Sequence, residues 1–165
     1  MPEHTAENTN WQKSVCGVVL HRDNVLLARH TYGPGKGRLI LPGGYLNRCD
    51  GRDESPEDAL VREVMEECGV LVQPRRLIGV RFNQKDWYAA FWADYLSGQA
   101  RSDHDENSEV LWLPAQEALT HPEVPQLSQR LIAAALKARS LGLGLGYTPY
   151  EGTLAGGPYA LYTIK

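Results

Sequence analysis

Apolar residues along the chain come in short runs separated by glycine, proline and charged clusters, the pattern of a domain built mainly from strands. Residues 14–21 form a Val-rich run, Asp23 and Asn24 supply turn chemistry, and 25–30 follow as a second run, which together predict a hairpin. Residues 32–38 hold three glycines, a proline, Lys36 and Arg38, and predict a basic loop before the short apolar run 39–41. Pro42-Gly43-Gly44 is expected to end that strand. A helix is predicted over 56–68, with Ser55 as N-cap, Pro56 in the first turn, Asp58 completing an imperfect capping box and Gly69 as the left-handed stop. Residues 70–84 and 87–96 read as strands; the second alternates Trp87, Phe91 and Tyr95 against Tyr88 and Trp92. Residues 109–113 predict one more. Leu127, Leu131, Ala134, Ala135 and Ala138 recur at helical spacing within 126–141, a closing helix.

The ends differ from this pattern. Residues 1–12 are polar and aperiodic, which predicts a flexible N-terminus ahead of a domain over 13–141. The extension 142–165 holds six of the 16 glycines and four tyrosines, with 159–164 as a strand candidate. Its tyrosines offer apolar surface for docking on its own domain or on a second copy, so a homodimer is compatible with the sequence.

Length and composition narrow the class. A chain of 165 residues, 42% apolar and 22% charged, is ordinary for one folded domain and argues against disorder, collagen or a disulfide miniprotein. No run approaches the ~18–20 apolar residues of a membrane span, and the start of the chain lacks a signal-peptide pattern. With 17 basic against 20 acidic residues the net charge is −3, which gives no field for holding a long nucleic acid. Cys16, Cys49 and Cys68 are odd in number and lack zinc spacing, as expected for reduced thiols in a cytoplasmic protein. The expected partner is therefore a small molecule, with no membrane.

The predicted helix carries the chemistry. At 100° per residue, Leu60, Val61, Val64, Met65 and Cys68 fall on an arc of about 140°, and Glu63, Glu66 and Glu67 on a separate arc of about 100°. Glutamates at i, i+3 and i+4 repel one another, and in the C-terminal half the helix dipole also disfavours them. A solvated acidic face is one reading. The other is a site for a hard divalent cation such as Mg²⁺, which takes carboxylate oxygens and leaves positions for water and phosphate.

The surrounding letters decide between the two. Residues 62–70, Arg-Glu-Val-Met-Glu-Glu-Cys-Gly-Val, fit R-E-U-x-E-E-x-G-U without a mismatch, U being a bulky aliphatic residue. Five fixed letters give a chance match of about one in a million per window. The segment resembles the Nudix hydrolase family of MutT-like proteins. The family's longer box, G-x5-E-x7-R-E-U-x-E-E-x-G-U, finds Glu54 at the required gap before Arg62, but Gly44 precedes Glu54 by nine residues rather than five. A loop absorbs four extra residues at small entropic cost, whereas one residue inserted in the helix would turn the glutamates off their common face.

The resemblance implies an α/β fold, an α/β/α sandwich with a curved mixed β-sheet, and Mg²⁺-dependent or Mn²⁺-dependent hydrolysis of a nucleoside diphosphate linked to another moiety. It implies that Glu54 pairs with Arg62 to brace loop against helix, and that Glu63, Glu66 and Glu67 hold the metal with help from a carbonyl at Gly43 or Gly44. Family members often add a carboxylate from a loop before a late Trp-bearing strand. Glu106, six residues before Trp112, matches best, with Asp105 and Glu109 close behind. Glu67, Glu66 and Glu106 are all candidates for the general base. Arg29, His30, Lys36 and Arg38 are candidates for phosphate contacts against an ordinary basic loop, and Tyr88 for a substrate contact against core packing. Two rival readings remain: a noncatalytic nucleotide-sensing module, and an isoprenoid diphosphate isomerase-like enzyme that would use Cys49.

Overall fold

Strand β1 (Gln12–His21) runs through the middle of the sheet, and its two edges set the topology. Along one edge it pairs in parallel with β8 (Asp86–Gly98) over nine positions, from Gln12 against Asp86 to Leu20 against Asp94. The other edge is shared. The end of β1 turns antiparallel into β2 (Asn24–His30), while its start, Ser14 to Cys16, pairs with β4 (Gly43–Tyr45). Strand β2 therefore diverges from β1 and pairs instead with β3 (Leu39–Ile40) and β9 (Asn107–Pro114). Strand β7 (Val70–Phe82) lies antiparallel to β8, completing a curved mixed sheet. The computed structural model describes residues 12–49, 52–83, 86–148 and 160–165. Residues 1–11, Tyr150, Leu154 and Tyr159 fall outside these, as does the side chain of Cys49.

Alternation along the strands builds two cores. Val15, Val19, Leu26, Ala28 and Phe91 point to one face, under helix α1 (Pro56–Cys68). Cys16, Val18, Leu27, Leu39 and Ala90 point to the other, under the short helix α2 (Ala115–Ala118) and α3 (Gln126–Leu141). The result is an α/β/α sandwich. Among the described residues no helix is long and apolar enough to cross a membrane.

Several local expectations change. The strand over 39–41 does stop before Pro42, but Gly43 and Gly44 then begin a new strand, β4, where glycine is required for close approach. A Cβ at Gly43 would collide with the Val15 carbonyl, and one at Gly44 would stand 2.5 Å from the Glu63 carboxylate. The four extra residues after Gly44 fall in a segment that folds back on itself, as β5 (Arg48–Cys49) against β6 (Arg52–Asp53), off the main sheet. Pro74, which has no N–H to donate, stays within β7 and is absorbed by a register shift between Pro74 and Arg76. Met65 and Leu127, placed on core faces by periodicity, are 40% and 38% exposed.

The C-terminal extension joins the sheet. Strand β10 (Leu145–Thr148) meets β7 at Leu77 and pairs with β11 (Leu161–Ile164), so the sheet continues past residue 141. Tyr162 turns its ring edge onto Phe91, 5.7 Å between centroids, and packs against the core under α1.

Candidate active site

Helix α1 is fixed at both ends by its own sequence. The Ser55 hydroxyl accepts from the Asp58 N–H at 3.1 Å, and Gly69, at φ 71°, closes the last turn by donating to the Met65 carbonyl. Between these caps the buried face is centred near Leu60 and Glu67. On the helix wheel Glu67 stands only about 20° from Leu60, so the packing that buries Leu60 carries Glu67 with it. Glu67 is 3% exposed. Glu63 is nearly as covered, and Glu66 is the exposed member of the trio.

Arg62 ties this helix to the preceding loop. Its guanidinium meets Glu54 side-on, with Nη2 to Oε1 at 2.7 Å and Nε to Oε2 at 3.0 Å, and donates to the Tyr45 carbonyl at 3.0 Å. Glu54 in turn accepts from the Asn47 N–H and donates its own N–H to the Asn47 carbonyl. The paired positive charge and hydrogen bonds hold the Glu54 carboxyl below the usual range. Arg62 Nη1 also reaches Glu63 at 2.9 Å and Glu66 at 3.2 Å.

Glu67 is the electrostatic centre. Burial, followed by the charges of Glu63 and Glu106, pushes its pKa up to about 9; one weak opposing contact is the Gly43 N–H at 3.4 Å. Burial also raises Glu63, against the pull of Arg62. Glu106 reaches this centre from its loop, close enough for its charge to act on the Glu67 carboxyl. That loop is shaped by its short polar residues. Asp103 accepts from the N–H groups of Asp105 and Asn107, Ser102 accepts from His104, and Thr31 donates its N–H to the Glu106 carbonyl and its hydroxyl to the Asp105 carbonyl at 2.6 Å. Asn107, fully buried, donates its amide to the Glu67 carbonyl at 2.9 Å.

The three acidic candidates before Trp112 separate cleanly. Glu106 faces Glu67, Asp105 is exposed, and Glu109 lies on the other face of the sheet in an ion pair with Arg29 at 2.9 Å. Arg29 also pairs with Glu123 and donates to the Gly37 carbonyl. It follows Ala28, which faces α1, so alternation sends Arg29 toward the α3 side, away from the glutamates. Arg38 stands exposed at the end of its loop. Tyr88 packs into the α3-side core, its hydroxyl against the Cys16 thiol and its ring under Arg81 at 4.8 Å. Trp87, Phe91, Trp92 and Tyr95 are likewise core or core-bordering. Arg29 is thus turned to Glu109 and Glu123 rather than to the carboxylates, and Tyr88 is held in the α3-side core, where the Glu67 charge still acts on it. Tyr32 and Asn107, which carried no motif, are brought to the carboxylates instead.

Among the described residues, no three His, Cys, Asp or Glu side chains already surround one point as metal ligands. Arg62 draws Glu63 and Glu66 toward itself. The donors still fit a hard divalent cation, because they are carboxylate oxygens and Glu67 is buried among acids rather than against a base.

This geometry coincides with a sequence match. The family model described as the NUDIX domain matches residues 11–134, well over half the chain. The chain belongs to the Nudix family. Members of the family generally need a divalent metal. A MutT-like protein of Streptomyces ambofaciens is 36% identical over 63% of this chain and 64% of its own length. An ADP-ribose pyrophosphatase of Methanocaldococcus jannaschii is 36% identical over 41% of this chain and 37% of its own length. The chain thus spans less than two thirds of each of these curated relatives. A NUDIX hydrolase from Nitrosomonas europaea has the same fold, with a TM-score of 0.69 at 22% identity over 81% of this chain and 74% of that one.

Proposed function

We propose that this Nudix protein hydrolyses the diphosphate linkage of a nucleoside diphosphate derivative, using Mg²⁺ or Mn²⁺ held by Glu63, Glu66, Glu67 and Glu106 with the backbone at Gly44. The observation that carries the reading is the burial of Glu67 beside Glu63 and Glu106. Stability alone disfavours two further acids beside a buried carboxyl, whereas a cation and a phosphate chain would neutralise them. When bound, the cation supplies charge neutralisation of the diphosphate and lowers the pKa of water.

The chain's own residues supply the rest. Glu54 and Arg62 fix the helix against the 45–54 segment, so that Gly44 stays beside Glu63. In this reading Glu106, on a loop closed by its own hydrogen bonds, takes the proton from a water attacking phosphorus. One P–O bond forms and the bridging P–O bond breaks, leaving two phosphate monoesters. Cys16 and Cys68 are buried free thiols, which suits a reducing, cytoplasmic setting.

The test is a panel of ADP-ribose, diadenosine polyphosphates, nucleotide sugars and nucleoside triphosphates with Mg²⁺ and with Mn²⁺, scored for released monophosphates. Turnover of at least one of them, abolished by chelation, supports the reading. Binding without turnover by the folded protein overturns it in favour of a sensing module.

A further inference from the structure

Strand β7 is partnered on its outer side only in part. Strand β10 meets it at Leu77, and from Ile78 to Phe82 no strand or loop backbone pairs with that edge among the described residues. The edge is apolar as well as open: Val80 and Phe82 are 46% and 70% exposed. Arg81, its one charge, is turned onto the Tyr88 ring and bound to Asp86. Sheet edges are usually blunted by proline, by an inward charge or by a covering element, because free N–H and C=O groups pair with an extended chain that reaches them.

A groove of about 430 Å³ lies beside this edge, lined by residues 77–80 of β7, by Ala134, Lys137 and Ala138 of α3 and by residues 143–145. Small side chains make the space. At Gly79 the helix packs close, with a Leu131 methyl 3.1 Å from where a Cβ would stand. One and two turns further along the same face of α3 come Ala134 and Ala138, too short to fill the gap to β7. An open strand edge facing a helix across an apolar groove is the geometry in which a peptide adds a strand and sets alternate side chains into the groove.

The charge around the groove selects its occupant. Residues 70–82 and 126–148 hold Arg75, Arg76, Arg81, Arg130, Lys137 and Arg139 and no acid, in a chain of net charge −3. Arg75 and Arg81 are paired with Asp94 and Asp86 on β8, and Arg139 donates to the Arg22 carbonyl. Lys137 in the groove, and Arg76, whose Cβ would lie 2.8 Å from a Cβ at Gly144, form no ion pair among the described residues. A second copy docking by the same edge would set cation against cation. We infer that this groove takes an extended peptide segment of a partner protein, apolar at alternate positions and acidic between them, which pairs with residues 78–82 of β7 and sets an acidic side chain at Lys137. The groove lies on the α3 side of the sheet and the glutamates lie on α1, so this surface is separate from the proposed hydrolytic site.

The probe is a fluorescein-labelled peptide of alternating Val and Glu, titrated onto the full chain by anisotropy. A Val-Lys peptide and a Val-Glu peptide with proline in place of alternate valines are the controls. The expected result is saturable binding of the Val-Glu peptide alone, with slowed amide exchange across Ile78–Phe82 in the complex; the proline control fails because it lacks the donors for pairing. Lys137→Glu, at an exposed helix position that folding tolerates, is expected to weaken binding by about tenfold, and Ala134→Leu, which fills the groove, by a similar factor, each checked by its thermal midpoint. No binding by the parent, equal binding of the Val-Lys peptide, binding that leaves 78–82 exchanging as before, or an unchanged Kd in Lys137→Glu would overturn the inference. A dimer of the parent that protects the same amides without peptide would overturn it as well.

Discussion

The carboxylate of Glu54 and the guanidinium of Arg62 meet at 2.7 Å across eight residues of chain, joining the segment that carries Gly44 to the helix that carries Glu63 and Glu67. This contact makes the 45–54 expansion tolerable. The extra residues fold back as a small strand pair, and the ends of the segment stay where Arg62 holds them.

Loss of that clasp has a pH signature. A carboxylate whose folded pKa is lowered stabilises the protein above its unfolded pKa, and this stability is lost as pH falls through the folded value. Glu54→Gln is expected to cost about 1–2 kcal/mol at pH 7, since both groups are largely covered, and to cost progressively less as pH falls below the ordinary carboxylate range. Urea unfolding of parent and variant across that range checks it; a difference independent of pH would contradict the ion pair as its source.

Glu67 behaves in the opposite sense. Its pKa is raised from 4.5 to about 9, so between those values the folded, metal-free chain holds a proton that the unfolded chain has lost. Stability of the metal-free protein therefore falls as pH rises through that window, and Glu67→Gln flattens the slope. Cation binding must displace this proton. Calorimetry of Mn²⁺ binding at pH 7 in two buffers of different ionisation enthalpy is expected to show release of about one proton in the parent and none in Glu67→Gln.

Much of this was legible along the chain. The R-E-U-x-E-E-x-G-U letters locate the helix, and its caps Ser55 and Gly69 fix its bounds. Other features are set by tertiary packing. Periodicity assigns Met65 to the core and Glu67 to a separate acidic face, because a wheel weighs apolarity and knows nothing of where β4 presses; the actual buried face lies rotated toward the acids. Arg29 looks like a phosphate ligand in a basic stretch, yet one step of strand alternation sends it to Glu109 and Glu123. Asn107 and Tyr32 gave no signal, since their roles depend on which loop meets which helix.

Arg29→Ala is accordingly expected to leave kcat and KM within about twofold of the parent. Its half-exposed partners make the stability cost small, about 0.5–1 kcal/mol. Steady-state kinetics beside thermal unfolding checks both; a large rise in KM would return Arg29 to the substrate.

The extension should contribute to the core. Tyr162 packs on Phe91 and beside Glu57 of α1, and Tyr162→Ala is expected to cost about 2 kcal/mol for a partly buried ring. Amide hydrogen exchange should show protection at Leu161–Ile164 in the parent and its loss in the variant.

In the proposed reaction Glu67 and Glu106 act together on the diphosphate while Glu109 does not. The most direct measurement is kcat with Mg²⁺ on the best substrate of the panel for Glu67→Gln, Glu106→Gln and Glu109→Gln, each with its thermal midpoint. Losses of at least about 10²-fold are expected for the first two with folding intact, and a change within about twofold for the third. Near-parental turnover by Glu67→Gln, or a loss confined to Glu109→Gln, would contradict it.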